Sequence, residues 1–289
     1  MRRWIFLIAA LLALPLHAQT ALRGKSYAQE LVDQVVARNP DLLVVVMHVT
    51  PPNDTINVVI ASNIGRLGKV ADDDDLKVIQ TGQPQMKVSR DGQKYGVELA
   101  MRDVVGNTIG ALGLVWPYAG GQDKAALDAR ANAIRDALAR GTLTLGNLLD
   151  PFPFEPGATT KTRAQKLIDQ AVARDPKVAV LALRGPAGRG GDLVVLGSTF
   201  GRHGKKADAD DMKVLQATEP ATGVYAGGKR FGVDLAFHDA AGATVGTMNV
   251  GYLLRAGDDT QALLNHALQL REDLQKRVTS ADAMSELDP

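Results

Sequence analysis

Apolar positions along this chain change their spacing in a fixed order, and they do so twice. Leu31, Val32, Val35 and Val36 fall at helical intervals, as do Leu167, Ile168, Ala171 and Val172, which predicts an amphipathic helix at the head of each half. Ser26 with Gln29, and Thr162 with Gln165, fit a capping box in which hydroxyl and amide satisfy each other's orphan backbone groups. Arg38-Asn39-Pro40 and Arg174-Asp175-Pro176 end these helices, because proline pushes the residue before it out of helical geometry. Runs that read as strands follow at Leu42–Val49 and Ile56–Ser62, matched by Val178–Leu183 and Leu193–Ser198.

A short helix is predicted at Asp73–Gln80 and again at Ala209–Gln216. Beyond it, two-residue alternation puts Tyr95, Val97, Leu99 and Met101 on one face of a strand and Gly96, Glu98, Ala100 and Arg102 on the other. The second half repeats this, with Phe231, Val233, Leu235 and Phe237 against Gly232, Asp234, Ala236 and His238. Asp91-Gly92 and Gly227-Gly228 accept the positive φ angles of tight hairpins. Last strands at Thr108–Trp116 and Thr244–Leu253 lead into helices at about 124–139 and 260–276. Each half thus reads helix, two strands, short helix, three strands, helix. Such short connections make neighbouring strands antiparallel, so the fold class is α+β, with helices expected on one face of each sheet. Trp116 and Tyr252 are expected to seal the core beside the terminal helix.

The halves are a duplication. Residues 26–116 reappear at 162–252 with a constant offset of 136, and 35 of the 91 aligned positions are identical. That period far exceeds the roughly 20–50 residues of a solenoid unit, so a whole domain is repeated. The expected division is a leader at 1–18, module 1 at 22–141, a proline-rich linker at 142–160, module 2 at 161–278 and a loose acidic tail at 279–289. Pro151, Pro153 and Pro156 stiffen the linker, and Phe152 and Phe154 are placed to dock on a module.

Arg2 and Arg3, the apolar run Trp4–Leu16 and the small Ala18 have the form of a secretion signal cleaved near Ala18. The run is shorter than the ~20 residues of a membrane-spanning helix, although retention as an anchor is the alternative. The expected address is periplasmic, without stable membrane insertion after cleavage. There are no cysteines, which removes disulfides, thiolate metal sites and cysteine nucleophiles. With 33 basic and 32 acidic residues, the charge balance offers nothing for nucleic acid.

Three groups of residues are candidates for chemistry. Arg66 and Lys69 lie in Gly65-Arg66-Leu67-Gly68-Lys69, and Arg202 and Lys205 in Gly201-Arg202-His203-Gly204-Lys205. A glycine-rich loop with two cations before a helix can hold a phosphate or carboxylate, or can be a tight turn offsetting the acids behind it. The run Asp72–Asp75 lacks the alternate ligand spacing of a calcium loop and reads as a helix N-cap with acids in the first turn, so no metal is expected. Glu98 with Arg102, and Asp234 with His238, interleave with small residues and either floor a polar pocket or form a solvent-facing surface pair worth ~0–1 kcal/mol. His48, His203, His238 and His266 have no histidine counterparts in the other half, and no catalytic motif is present. No enzyme activity and no cofactor are expected.

Ile60-Ala61-Ser62, Gly65–Lys69, Thr81-Gly82-Gln83-Pro84, Tyr95–Asp103 and Gly106–Gly110, with their counterparts in the second half, resemble the extracytoplasmic Cache domains, PAS-like sensor modules of bacterial receptors. The resemblance implies a five-stranded antiparallel sheet, a long N-terminal helix and a pocket for a small ligand on the sheet face. Such domains usually sit between two membrane helices and feed a cytoplasmic signalling domain, neither of which this sequence offers. The function this implies is a periplasmic small-molecule-binding protein that presents its ligand to a membrane receptor, kinase or transporter. The alternative is a ligand-free protein–protein adaptor for an outer-membrane receptor or a membrane-bound sensor kinase. The class of ligand does not follow from the resemblance.

Overall fold

The computed structural model describes residues 24–188 and 190–288, so the leader lies outside the described residues. Module 1 runs α1 (Tyr27–Arg38), β1 (Val44–Val49), β2 (Val58–Ser62), α2 (Asp73–Thr81), β3 (Gln85–Val88), β4 (Lys94–Arg102), β5 (Thr108–Pro117) and α3 (Lys124–Gly141). A short helix, α4 (Leu145–Leu148), follows. Module 2 runs α5 (Arg163–Arg174), β6 (Val178–Pro186), β7 (Leu193–Ser198), α6 (Ala209–Gln216), β8 (Ala221–Tyr225), β9 (Arg230–His238), β10 (Thr244–Leu253) and α7 (Thr260–Gln275), with α8 (Ala281–Ser285) at the end. The two sheets are antiparallel with the same order, β2-β1-β5-β4-β3 and β7-β6-β10-β9-β8. The fold is α+β, two five-stranded antiparallel sheets with helices.

The alternation read from sequence fixes which residues enter the main cores. Tyr95, Val97, Leu99 and Met101 join Val45, Met47, Val49, Leu112, Leu114 and Trp116 under α1 and α3. Phe231, Val233, Leu235 and Phe237 do the same under α5 and α7. Trp116 and Tyr252 are each 1% exposed, the latter with its hydroxyl 2.9 Å from His266 Nδ1 on α7.

The helices do not all lie on one face. Whereas α1 and α3 cover the core face, α2 covers the opposite one, where Val78 packs on Ala100 and Ala111. Alternation assigns residues to two faces but cannot say that both are covered. The consequence is functional, because Glu98 and Ala100 lie under a helix rather than in solvent.

Three local expectations are corrected. Ser26 and Thr162 cap their helices by accepting from the amides of Gln29 and Gln165. The glutamine side chains do not reach back, however. Gln29 Oε1 and Gln165 Oε1 accept from the amides of Ser62 and Ser198 at 3.1 and 2.8 Å, tying each helix to its sheet. The complete capping boxes are Asp72/Asp75 on α2 and Asp208/Asp211 on α6.

The tail is not loose. Met284 of α8 is 1% exposed, and Glu286 and Asp288 pair with Arg163 and Lys166 of α5.

The linker is more than a stiff proline-rich spacer, since it contains α4 as well as the docking aromatics. Leu148 of α4 is buried in the module 1 core, and Phe152 lies between Tyr27, tilted to it, and His203, edge-on, at centroid distances of 5.6 and 5.7 Å. Asn147, fully buried, donates to the Phe200 carbonyl at 3.0 Å. Val104 and Leu143 pack on Val180, Ala182 and Phe200 of module 2, so the modules share an apolar interface.

Candidate functional site

Three side chains meet on the α2 face of the module 1 sheet. β4 aims Glu98 away from the core because its neighbours Val97 and Leu99 face inward. By the same alternation β1 buries Val45, Met47 and Val49 and turns His48 to the other side. The capping box holds Asp75 in place: Asp72 accepts from the Asp75 amide, and Asp75 Oδ2 accepts from the Asp72 amide at 2.9 Å. His48, Asp75 and Glu98 each bring a ligating atom within 4.8 Å of the other two. His48 and Asp75 are 6% and 5% exposed, and Glu98 is half-buried.

Small residues make the space. Gly113 lies beside Glu98, where an added Cβ would stand 4.0 Å from Glu98 Oε1. Gly110 brings β5 against the backbone of β1, and a Cβ there would sit 2.0 Å from the His48 carbonyl oxygen. The same approach recurs at Gly246 against Arg184, at 1.8 Å. No side chain other than glycine fits this crossing point, which fixes where the residue at position 48 or 184 emerges.

The cluster is short of positive charge. Burial, with the adjacent Asp75, pushes the Glu98 carboxyl up to about 9, so it keeps its proton at neutral pH. Burial by itself would raise Asp75 too, but the hydrogen bond from Glu98, the Asp72 amide and the nearby His48 and Lys69 outweigh it, and Asp75 stays ionised. Burial lowers His48, against the attraction of Asp75 and Asp72, so the imidazole is neutral. Among the described residues its Nδ1 has no hydrogen-bond partner, and it lies 3.6 Å from Asp75 Oδ2. A neutral imidazole nitrogen and two carboxyls sharing one proton thus converge, with the exposed Lys69 acting on them only from outside the cluster.

Module 2 solves the same problem differently. By the offset of 136, Arg184, Asp211 and Asp234 stand at positions 48, 75 and 98. The Arg184 guanidinium lies 3.1 Å from Asp211 Oδ2. Asn249, at the position of Gly113, donates to Asp234 at 2.5 Å. Burial raises Asp234, while Asn249 and Arg184 oppose the shift. The acids of module 2 carry their own internal cation and amide, and those of module 1 do not.

The remaining sequence candidates do not join these clusters. Arg102 is exposed at the end of β4, beyond a bulge at Met101/Arg102 that breaks the alternation expected to bring it beside Glu98. His238 meets Thr244 at 3.2 Å and lines a 420 Å³ cavity with Glu219 and Arg271. Arg66 and Lys69 are exposed, with Lys69 close enough to act on His48 and Asp75. Arg202 and Lys205 are structural: Arg202 Nε lies 2.8 Å from Asp150 Oδ2 of the linker, and Lys205 lies over Phe154.

His48 and Asp75 escape the sequence reading as partners of Glu98. Comparing the halves could have found them, since positions 48, 75 and 98 are polar in both, 48 and 98 between apolar or small strand neighbours and 75 in the acidic first turn of its helix.

Neither a family model nor a curated protein sequence matches the chain. Among solved structures it is similar to the Agrobacterium tumefaciens repressor BlcR, at 13% identity over 58% of this chain and 87% of that one, with a TM-score of 0.28. It is also similar to Pseudomonas aeruginosa PelD from residue 158 onward, at 14% identity over 89% of this chain and 79% of that one, TM-score 0.27. Superpositions at this level bear on neither site nor ligand.

Proposed function

We propose that this chain is an exported, non-catalytic binding protein of the sensor type, built from two Cache-like modules, which takes up a small cationic ligand under α2 of module 1. The carrying observation is the contrast between copies: Arg184 supplies module 2 with a cation against Asp211, where module 1 has the neutral His48. Burial of His48 and Asp75 limits the ligand to something small. Export to the periplasm rests on the basic, apolar and small-residue pattern of the leader. Among the described residues no helix is long and apolar enough to cross a membrane.

Presentation to an envelope partner draws on the loop that leads into α2. Ile64 and Leu67 are 41% and 61% exposed, whereas Phe200 and His203, at the same positions in module 2, are 6% and 3% exposed beneath the linker and module 1. A loop that docks in one copy and stands open in the other offers a partner protein an apolar surface beside the ligand site. The test is thermal-shift screening of the whole protein against inorganic cations, organic amines, amino acids and nucleobases, because a ligand of the folded state raises apparent stability as RT ln(1 + [L]/Kd). A cation should shift the wild type but not Glu98→Ala. Equal shifts in both would refute the site.

A further inference from the structure

We infer that His48, Asp75 and Glu98 form a binding site for one divalent first-row transition-metal ion, present in module 1 and replaced in module 2 by the side chain of Arg184. This rests on the cationic-ligand reading above and narrows it to a metal.

The geometry favours an ion over an organic cation. The three ligating atoms already lie within 4.8 Å of one another, a spread that side-chain adjustment closes onto one ion at ~2.0–2.2 Å from nitrogen and oxygen donors. A buried imidazole nitrogen, without a hydrogen-bond partner among the described residues, lies at the same space, and burying such a group unsatisfied is costly. One imidazole with two carboxyls suits zinc, manganese or nickel, whereas calcium takes 6–8 oxygen ligands and magnesium keeps most of its waters. Three protein ligands also leave a coordination position for water or a further small ligand.

The structure supplies the supporting frame as well. The Asp72 amide fixes Asp75 Oδ2, the kind of outer hydrogen bond that orients a metal carboxylate. Gly110 sets the position of His48, and Gly113 leaves room for the longer Glu98. Module 2 has these features altered together: Arg184 for the histidine, the shorter Asp234 for the glutamate, and Asn249 in the space of Gly113. Together they pair the acids internally, Arg184 with Asp211 and Asn249 with Asp234. The run Asp72–Asp75 is not itself the site, since only Asp75 enters the cluster.

The experiment is calorimetric titration of the chelator-stripped full chain with zinc, manganese and nickel chlorides, with calcium, magnesium and putrescine as comparisons. One ion per chain is expected for at least one transition metal, with a rise in Tm and a changed imidazole signal for His48 by NMR. His48→Arg, which installs the module 2 solution, should fold with undiminished Tm and lose the metal response. The triple change Arg184→His, Asp234→Glu, Asn249→Gly should raise the stoichiometry from one to two. Transition-metal binding unchanged in His48→Arg, or none at millimolar metal, overturns the metal site. In that case a response to putrescine keeps the cationic-ligand reading, and silence to every cation ends both.

Discussion

Arg184 Nε stands 3.1 Å from Asp211 Oδ2, and 136 residues earlier His48 Nδ1 stands 3.6 Å from Asp75 Oδ2. One position in a duplicated sheet thus carries a permanent cation in one copy and a neutral imidazole in the other. Arg184→Met should therefore destabilise module 2 by about 3 kcal/mol, since removing one partner leaves a carboxylate pair uncompensated in a covered site. Denaturant unfolding measures this directly. His48→Met, by contrast, should cost less in the metal-free protein.

His203 predicts acid sensitivity at the interface. It is 3% exposed, with Nε2 2.8 Å from Gln165 Oε1 and Phe152 edge-on. Burial lowers it to about 4, against a weak opposing pull from Glu30. The unfolded chain, at about 6.5, takes up this proton first. Stability is thus complete above about pH 6.5 and falls by up to about 3 kcal/mol as pH drops towards 4. His203→Leu, which places the module 1 residue here, should flatten that part of the stability–pH curve.

Asn147 predicts coupling between modules. Its side chain donates to Phe200 of module 2 and accepts from the Leu143 amide. Asn147→Ala leaves the buried Phe200 carbonyl without this donor, at a cost of about 1–3 kcal/mol. Calorimetry should show one transition in the wild type and two in the variant.

Leu67 predicts the opposite outcome. At 61% exposure, Leu67→Glu should change stability by less than about 0.5 kcal/mol, as surface substitutions do. His203→Glu, at the matching position, should be severe because it buries a charge. Equal Tm losses would mean that the module 1 loop is covered as well.

Gly110 predicts a steric penalty. Gly110→Ala places a methyl 2.0 Å from the His48 carbonyl and should cost about 3 kcal/mol through forced backbone separation. The same variant should weaken cation binding more than it lowers Tm, because it displaces His48.

Much of this architecture is legible in the sequence for local reasons. Alternation in Lys94–Arg102 separates core from non-core residues because a strand's side chains point to opposite faces. Proline and glycine punctuate helices and turns through their own φ limits. The duplication announces two modules, and Glu98 stands out on the polar face of its strand. Misreadings arise where a residue has a distant partner. Gln29 has the spacing of a capping box yet bonds to Ser62, and Arg202 resembles an anion ligand yet pairs with Asp150.

By itself the sequence determined the order of elements within each repeated module, the duplication and which strand side chains leave the core, because all three depend on backbone periodicity and chain-local sterics. Tertiary structure alone decided that α2 covers the second sheet face, and that His48, Asp75 and Glu98 meet there from β1, α2 and β4. Those residues are 27 and 23 positions apart along the chain, so only the antiparallel register and the helix seated across it could bring them together. Whether the meeting point holds an internal cation is then settled by one side chain, His48 or Arg184.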